Sequence, residues 1–180
     1  NIIIVGGMGN AMLKNTGINI GKSVCDDGYK DLVGEILTKS KTHNCKIYYP
    51  LDVVVSKTLD GSGKIKETNK VNNDEMILDI GPKTITSIKN IINESNTVLW
   101  NGPAGYFENP NFANGTKKIL EIIADKRIKD KIYAVAGGGE TVAVINKFNK
   151  LDTFNFVSTA GGAFLEYLEG KELPGIKALN

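Results

Sequence analysis

The sequence has one histidine, one arginine and two cysteines in 180 residues, and each scarcity removes a class of chemistry. His43 lies in the polar stretch Lys41-Thr42-His43-Asn44, as at a solvated helix end, and no serine or cysteine is arrayed with it as a nucleophile with its base. Cys25 and Cys45 are far apart, with no metal-ligand spacing, and one pair makes no disulfide framework, so both read as thiols. A formal net charge of +2 argues against a nucleic-acid binder that works through a basic face. No apolar run approaches the length of a membrane span, so no membrane partner is expected. The opening Ile2-Ile3-Ile4-Val5 is too short for a signal-peptide core and lacks basic flanks. Internal repeats, linkers and low-complexity tracts are missing as well.

What is present is the composition of an ordinary globular domain, 41% hydrophobic and 23% charged, long enough for a real core. Apolar patterning predicts strands at 2–5, 46–49, 52–56, 97–100, 132–136 and 154–158. It predicts helices at 10–15, 29–42, 84–93, 116–124, 140–148 and 161–168. Between residues 57 and 70, Asp60-Gly61-Ser62-Gly63-Lys64 reads as a turn between two extended arms. Strand and helix in rotation predict an α/β fold: a three-layer, Rossmann-like domain over 1–180, its mostly parallel sheet covered by helices on both faces. Asn1 leads straight into a strand with no initiator Met, and we expect a piece of a longer protein.

In such sheets ligands bind outside the carboxyl ends of the strands. Glycines gather there: Gly6-Gly7, Gly102 with Gly105, Gly137-Gly138-Gly139, and Gly161-Gly162. Glu140-Thr141 then opens a helix whose first N–H groups suit an anion, and glycine lets a phosphate reach the backbone. The visitor expected is a polyphosphate, although single clusters also serve as tight strand-to-helix turns. Two familiar cradles fail. Gly7-Met8-Gly9 lacks the third glycine of the dinucleotide fingerprint, where Met12 stands. Gly61-Ser62-Gly63-Lys64 lacks the first glycine of a Walker A loop, is followed by Ile65, and sits in a hairpin-like region. Lys83 at a helix start, Asn101 at a strand end and Glu108 after the Gly102-Pro103 turn are polar candidates, each also readable as a surface or turn residue. Such a set can hold a phosphate donor, and phosphoryl transfer asks mainly for positioning and charge stabilisation.

Longer motifs are more specific. Leu78-Asp79-Ile80-Gly81-Pro82-Lys83-Thr84, the run from Val98 to Glu108 (VLWNGPAGYFE), Gly137-Gly138-Gly139-Glu140-Thr141, the run from Ser158 to Glu166 (STAGGAFLE) and the run from Leu168 to Gly175 (LEGKELPG) resemble phosphoglycerate kinase, as does Gly6-Gly7-Met8. They span the chain in the family's order and resemble its C-terminal, nucleotide-binding domain. The resemblance implies reversible phosphoryl transfer between 1,3-bisphosphoglycerate and ADP, giving 3-phosphoglycerate and Mg-ATP in glycolysis. This chain would supply the ADP/ATP half, with Mg2+ bound alongside the nucleotide.

Residue by residue, the resemblance implies an adenine cleft lined by Gly6, Gly7, Val24, Leu78 and Tyr106. It implies a nucleotide contact from Asn101 and a ribose-binding carboxylate at Glu108. Gly137, Gly138, Gly139, Glu140 and Thr141 would form the phosphate loop, Glu140 helping to place the metal. Gly161 and Gly162 would lie near the transferring phosphoryl group. The partner implied is an N-terminal domain that carries the 3-phosphoglycerate site, with residues 165–180 returning to pack on it. The full-length protein is expected to be cytoplasmic and monomeric. Three features depart from the family: Glu140 stands for its usual Asp, Val5 and Ala160 stand for the first glycine of two triplets, and the basic triose-phosphate patch is not within these residues, whose only arginine is Arg127. Two other readings stay open here: a nucleotide-binding module without turnover of its own, and a dinucleotide-dependent oxidoreductase.

Overall fold

The structure is a computed structural model that describes residues 1–25, 28, 30–130 and 132–179. The chain forms two compact units, Asn1–Glu94 with Pro103–Ile119, and Ser95–Gly102 with Leu120–Asn180.

The first unit opens on β1 (Ile2–Ile3), which pairs in parallel with β2 (Ile47–Tyr48); α1 (Gly6–Asn15) and α2 (Lys30–Thr42) lie between them in sequence. The first strand is shorter than its apolar run, and Ile2 is 49% exposed rather than covered on both faces. The first helix in turn starts four residues earlier than the pattern predicts. Gly6 and Gly7 form its first turn instead of a loop, because that turn needs no intrahelical acceptor for its N–H groups and tolerates weak helix formers. Gly17, at φ +84°, follows the helix end. His43 lies just past the end of α2, exposed, its ring nitrogen within hydrogen-bond reach of the Lys39 carbonyl at 3.0 Å. Cys25 and Cys45 are both thiols.

The next three strands supply the antiparallel part of a mostly parallel fold. β3 (Asp52–Ser56), β4 (Lys64–Glu67) and β5 (Met76–Ile80) form an antiparallel sheet in the order β4-β3-β5. The glycine turn at 60–64 joins β3 to β4 as a hairpin, as read from the sequence. The strand at 76–80 escaped that reading, because Asp79 interrupts its short apolar run. Val53 and Val55 alternate into the core, where Val71 and Ile77 meet them.

α3 (Pro82–Asn93) follows β5 with proline at its first position, where no N–H is needed. Thr84, Ile88 and Ile92 form its buried stripe. No side chain of its own N-terminal residue caps it. Asp52 does so from β3: its carboxylate accepts the N–H of Lys83 at 3.0 Å and of Thr84 at 2.8 Å, and the Thr84 hydroxyl donates back at 2.8 Å.

α4 (Asn114–Asp130) is longer than predicted. Asp79 of β5 holds its start, accepting the N–H of Gly115 at 2.7 Å, while the N–H of Ile80 donates to the same carboxylate at 2.9 Å.

The second unit contains β6 (Thr97–Asn101), β7 (Tyr133–Gly137) and β8 (Phe156–Ser158), all parallel, in the order β6-β7-β8. α4 continues into this unit on the way from β6 to β7, and α5 (Gly139–Lys147) connects β7 to β8. Ala134 and Ala136 are fully buried, and so are Val144 and Ile145 of α5. α6 (Gly162–Leu168) and α7 (Pro174–Lys177) complete the chain. With its mostly parallel pairing and intervening helices, the fold is α/β. Among the described residues no helix is long and apolar enough to cross a membrane.

Asp79 makes stability depend on pH. Burial pushes its carboxyl up to about 6 from an ordinary 3.8, against the opposite pull of its backbone N–H donors. The folded state therefore holds this proton more tightly than the unfolded chain does. Its contribution is complete below the unfolded value and is lost as pH rises through about 6; the gap corresponds to about 3 kcal/mol. Thermal unfolding should show wild type losing more stability than Asp79→Asn between about pH 4 and pH 7. Equal slopes would rule Asp79 out as the source.

Candidate functional site

Each unit contributes its own group of the sequence-predicted residues. In the second unit, parallel register aligns the strand ends: Asn101 is opposite Gly137, and Gly137 is opposite Ser158. The turns that leave β6, β7 and β8 therefore depart from one edge of the sheet. They carry Gly102, Gly138 to Thr141, and Gly161 with Gly162.

Gly138 is the N-cap of α5 at φ +90°, a setting that disfavours any side chain. A Cβ there would also lie 2.7 Å from the Asn101 side-chain oxygen. Gly139, one residue on, has open space around it. Gly137 is buried, and a Cβ on it would lie 2.5 Å from the Phe164 ring. The first intrahelical bond of α5 runs from Val142 N to Gly138 O at 3.0 Å, so the preceding amides have no partner within the helix. Glu140 lies in that first turn with its side chain exposed.

Thr141 differs from its neighbours. Its side chain is fully buried, and its hydroxyl accepts the Gly102 N–H at 2.6 Å. It thus ties the β6 turn to the start of α5. Gly161, at φ +52°, precedes α6, whose first residue Gly162 has open space around it. Trp100, one residue before Asn101, stacks on Phe154 with centroids 6.1 Å apart.

In the first unit the structure joins Leu78 to Tyr106: the Tyr106 N–H donates to the Leu78 carbonyl at 2.8 Å. Leu78 is buried and Tyr106 is 38% exposed. Gly6 belongs to the same neighbourhood, since a Cβ on it would lie 3.3 Å from the Pro103 carbonyl; Gly7 has open space around it. Gly105 permits the close approach, because a Cβ on it would fall 2.6 Å from the Leu78 carbonyl. Glu108 has its side chain exposed. Val24 is 81% exposed, and its carbonyl is held by the buried Asn10 amide at 3.0 Å. Lys83 lies beside Asp52, Ile65, Lys66, Glu67 and Lys70 in a shallow surface depression, where it pairs with Glu67 at 2.7 Å, and that partner raises its pKa.

Sequence reading missed the residues that hold these loops. Thr116, fully buried in the first turn of α4, accepts the Ala104 N–H at 3.0 Å. Asn109 reaches the Leu59 carbonyl at 2.7 Å, and Asn111 reaches the Gly61 carbonyl at 3.2 Å, pinning the 109–111 turn to the hairpin. The signals available were weak: polar residues beside glycine or proline in otherwise apolar stretches.

Comparison with known proteins gives these glycine turns their context. A family model described as phosphoglycerate kinase matches residues 1–171. The phosphoglycerate kinase of Azorhizobium caulinodans is 41% identical over 99% of this chain and 46% of its own length. That of Francisella philomiragia is 46% identical over 99% of this chain and 45% of its own. The structure of phosphoglycerate kinase from Coxiella burnetii superposes with a TM-score of 0.91 at 39% identity, covering 99% of this chain and 46% of that one. The corresponding structure from Pyrococcus horikoshii gives 0.82 at 28% identity. The fold is thus an α/β fold shared with a group of kinases. The chain belongs to the phosphoglycerate kinase family, and it spans about half the length of the curated relatives it matches.

The two neighbouring glycines of the β7 turn should respond differently to a methyl group. Gly138→Ala should lower stability by about 1–3 kcal/mol, from left-handed backbone and crowding of Asn101. Gly139→Ala should stay within roughly 0.5 kcal/mol of wild type. Urea unfolding checks both, and equal costs would contradict the geometry.

Proposed function

We propose that this chain is the nucleotide-binding half of a phosphoglycerate kinase, an enzyme that moves a phosphoryl group between 1,3-bisphosphoglycerate and ADP, giving 3-phosphoglycerate and ATP. The observation that carries the reading is the first turn of α5, whose amides have no partner within the helix, behind Gly138 at φ +90°. Its amides suit the phosphates, and the helix dipole favours their charge. Asn101 and Gly137 to Thr141 take the phosphate end, Thr141 through its backbone and through the turn that its hydroxyl holds. Gly161 and Gly162 leave room near the phosphoryl group in transit. Gly6, Gly7, Val24, Leu78 and Tyr106 take the adenine, and Glu108, exposed and acidic, accepts the ribose hydroxyls.

The metal expected with the nucleotide is Mg2+. Among the described residues no three His, Cys, Asp or Glu side chains gather into a metal cluster. That fits an ion held mostly by phosphate oxygens and water, with one or two carboxylates. Glu140 is the carboxylate in place for it, reaching either the ion or one of its waters. When bound, Mg2+ would neutralise charge on the phosphates.

The rest of the reaction needs an acceptor site, which the reading assigns to an N-terminal domain. Leu165, Leu168, Ile176 and Leu179 are all exposed, which supports a tail at 165–180 that packs on that domain. The full-length enzyme would then be a cytoplasmic monomer. The chain's share of its relatives' length favours a second reading for these 180 residues taken alone: a module that binds nucleotide without turnover. In-line transfer needs both substrates held together with water excluded, and domain closure achieves that.

Two measurements test the proposal. In calorimetry, Mg-ADP should bind and NAD should not. Glu108→Ala should weaken ADP by about 1–2 kcal/mol, the cost of losing a charged acceptor. Glu140→Ala should reduce the gain in affinity that Mg2+ confers, while Glu140→Asp keeps it. Binding of NAD instead of Mg-ADP would reject the kinase reading, and identical titrations of the variants would reject these residue roles. In a coupled assay with Mg-ATP and 3-phosphoglycerate, the 180-residue chain should be nearly inactive. A rate on the order of 10 s⁻¹, ordinary for an enzyme, would overturn the module reading.

A further inference from the structure

The sequence contains two Asn-Gly pairs, Asn101-Gly102 and Asn114-Gly115. This dipeptide is prone to a self-inflicted reaction, because glycine has no Cβ to hinder its own nitrogen. After losing its proton to solvent base, the glycine nitrogen attacks the asparagine Cγ and a C–N bond closes a succinimide ring. The side-chain nitrogen leaves as ammonia, taking a proton from solvent. Water then opens the ring at either carbonyl and leaves aspartate or isoaspartate. Water is the only co-reactant.

In this fold both glycine nitrogens are occupied. Gly102 N–H donates to Thr141 Oγ1 at 2.6 Å, and Gly115 N–H donates to Asp79 Oδ2 at 2.7 Å. Thr141 is fully buried and Asp79 is 1% exposed. Asn101 closes β6 in extended conformation, in register with Gly137. From there the glycine nitrogen reaches Cγ only if the Asn101–Gly102 peptide turns out of its strand setting. That rotation breaks the Thr141 bond and leaves a buried hydroxyl without its partner.

We propose that Asn101 is a latent deamidation site and that the Thr141 hydroxyl is its guard. Asp79 guards Asn114 in the same way, so each pair has its own lock. Thr141 thereby acts as a positioning residue whose buried hydroxyl preserves the chemical identity of its neighbour. On the nucleotide-binding reading above, deamidation would also put a carboxylate where an amide is to meet a phosphate. The guard itself does not depend on that reading.

The test follows the purified protein in warm, mildly alkaline buffer, with peptide mass mapping for the amide-to-acid shift at each asparagine. Wild type should stay slow at both sites. Thr141→Val, which keeps the shape and removes the acceptor, should deamidate about tenfold faster at Asn101, the rate equivalent of about 1.4 kcal/mol. Asn114 should keep its wild-type rate in that variant. Thr141→Ser, which keeps a hydroxyl, should keep Asn101 slow. Wild-type rates at Asn101 in Thr141→Val would overturn the proposal. Equal acceleration at Asn101 and Asn114 would overturn it too, since general loosening would then explain the effect. Because the readout is mass, this outcome is independent of whether ADP binds.

Discussion

Two buried carboxylates on neighbouring antiparallel strands hold the starts of two helices. Asp52 of β3 supplies α3, and Asp79 of β5 supplies α4. Helix N-termini leave N–H groups without acceptors, and buried ones must be satisfied. α3 does not meet that need with its own N-terminal side chain. Both helices depend on a strand that arrives from elsewhere in the chain. The register of β3 and β5, with Val54 opposite Asp79, therefore sets the helix starts as well as the sheet. Thr84 closes the first arrangement by donating back to Asp52, and Thr116, one residue past Gly115, reaches the loop at Ala104. The candidate loop from Pro103 to Glu108 is thus fixed at one end by the helix that Asp79 anchors.

The second unit meets a related need differently. Its helix α5 has no side-chain cap from its N-terminal residue, and the hydroxyl of Thr141 in its first turn binds Gly102 instead. An uncapped turn next to a glycine at φ +90° is costly for a helix on its own. Such unspent donors are what an anionic ligand uses. α3 and α4 thus start on a strand carboxylate, whereas α5 starts behind a glycine.

Much of the architecture was legible in the sequence. Strand-helix alternation identified the parallel strands β6 to β8, and the glycine turns that follow them were read at their observed places. Long motifs such as Val98 to Glu108 indicated the family. The antiparallel β3-β4-β5 arrangement was only partly legible. Its hairpin had a turn signature, but β5 did not, since a polar Asp79 in a five-residue strand looks like a break. The start of α1 was misplaced for the opposite reason, as Gly6-Gly7 looks like a turn whether or not a helix begins there.

Local sequence settled most of the extended and helical segments and the positions where side chains are absent. These follow from local periodicity and from glycine's missing Cβ, which need no partner. What the polar residues do was settled by contacts between distant parts of the chain. Asp79, Asp52, Thr116 and Thr141 look alike in sequence, as short polar residues beside apolar or glycine-containing stretches. Burial and long-range partners make the first two into helix anchors and the last two into clamps on loops. A hydrogen bond between residues far apart in the chain, such as Thr141 with Gly102, has no local signature. Its existence depends on strand register, and register is settled only when the sheet forms.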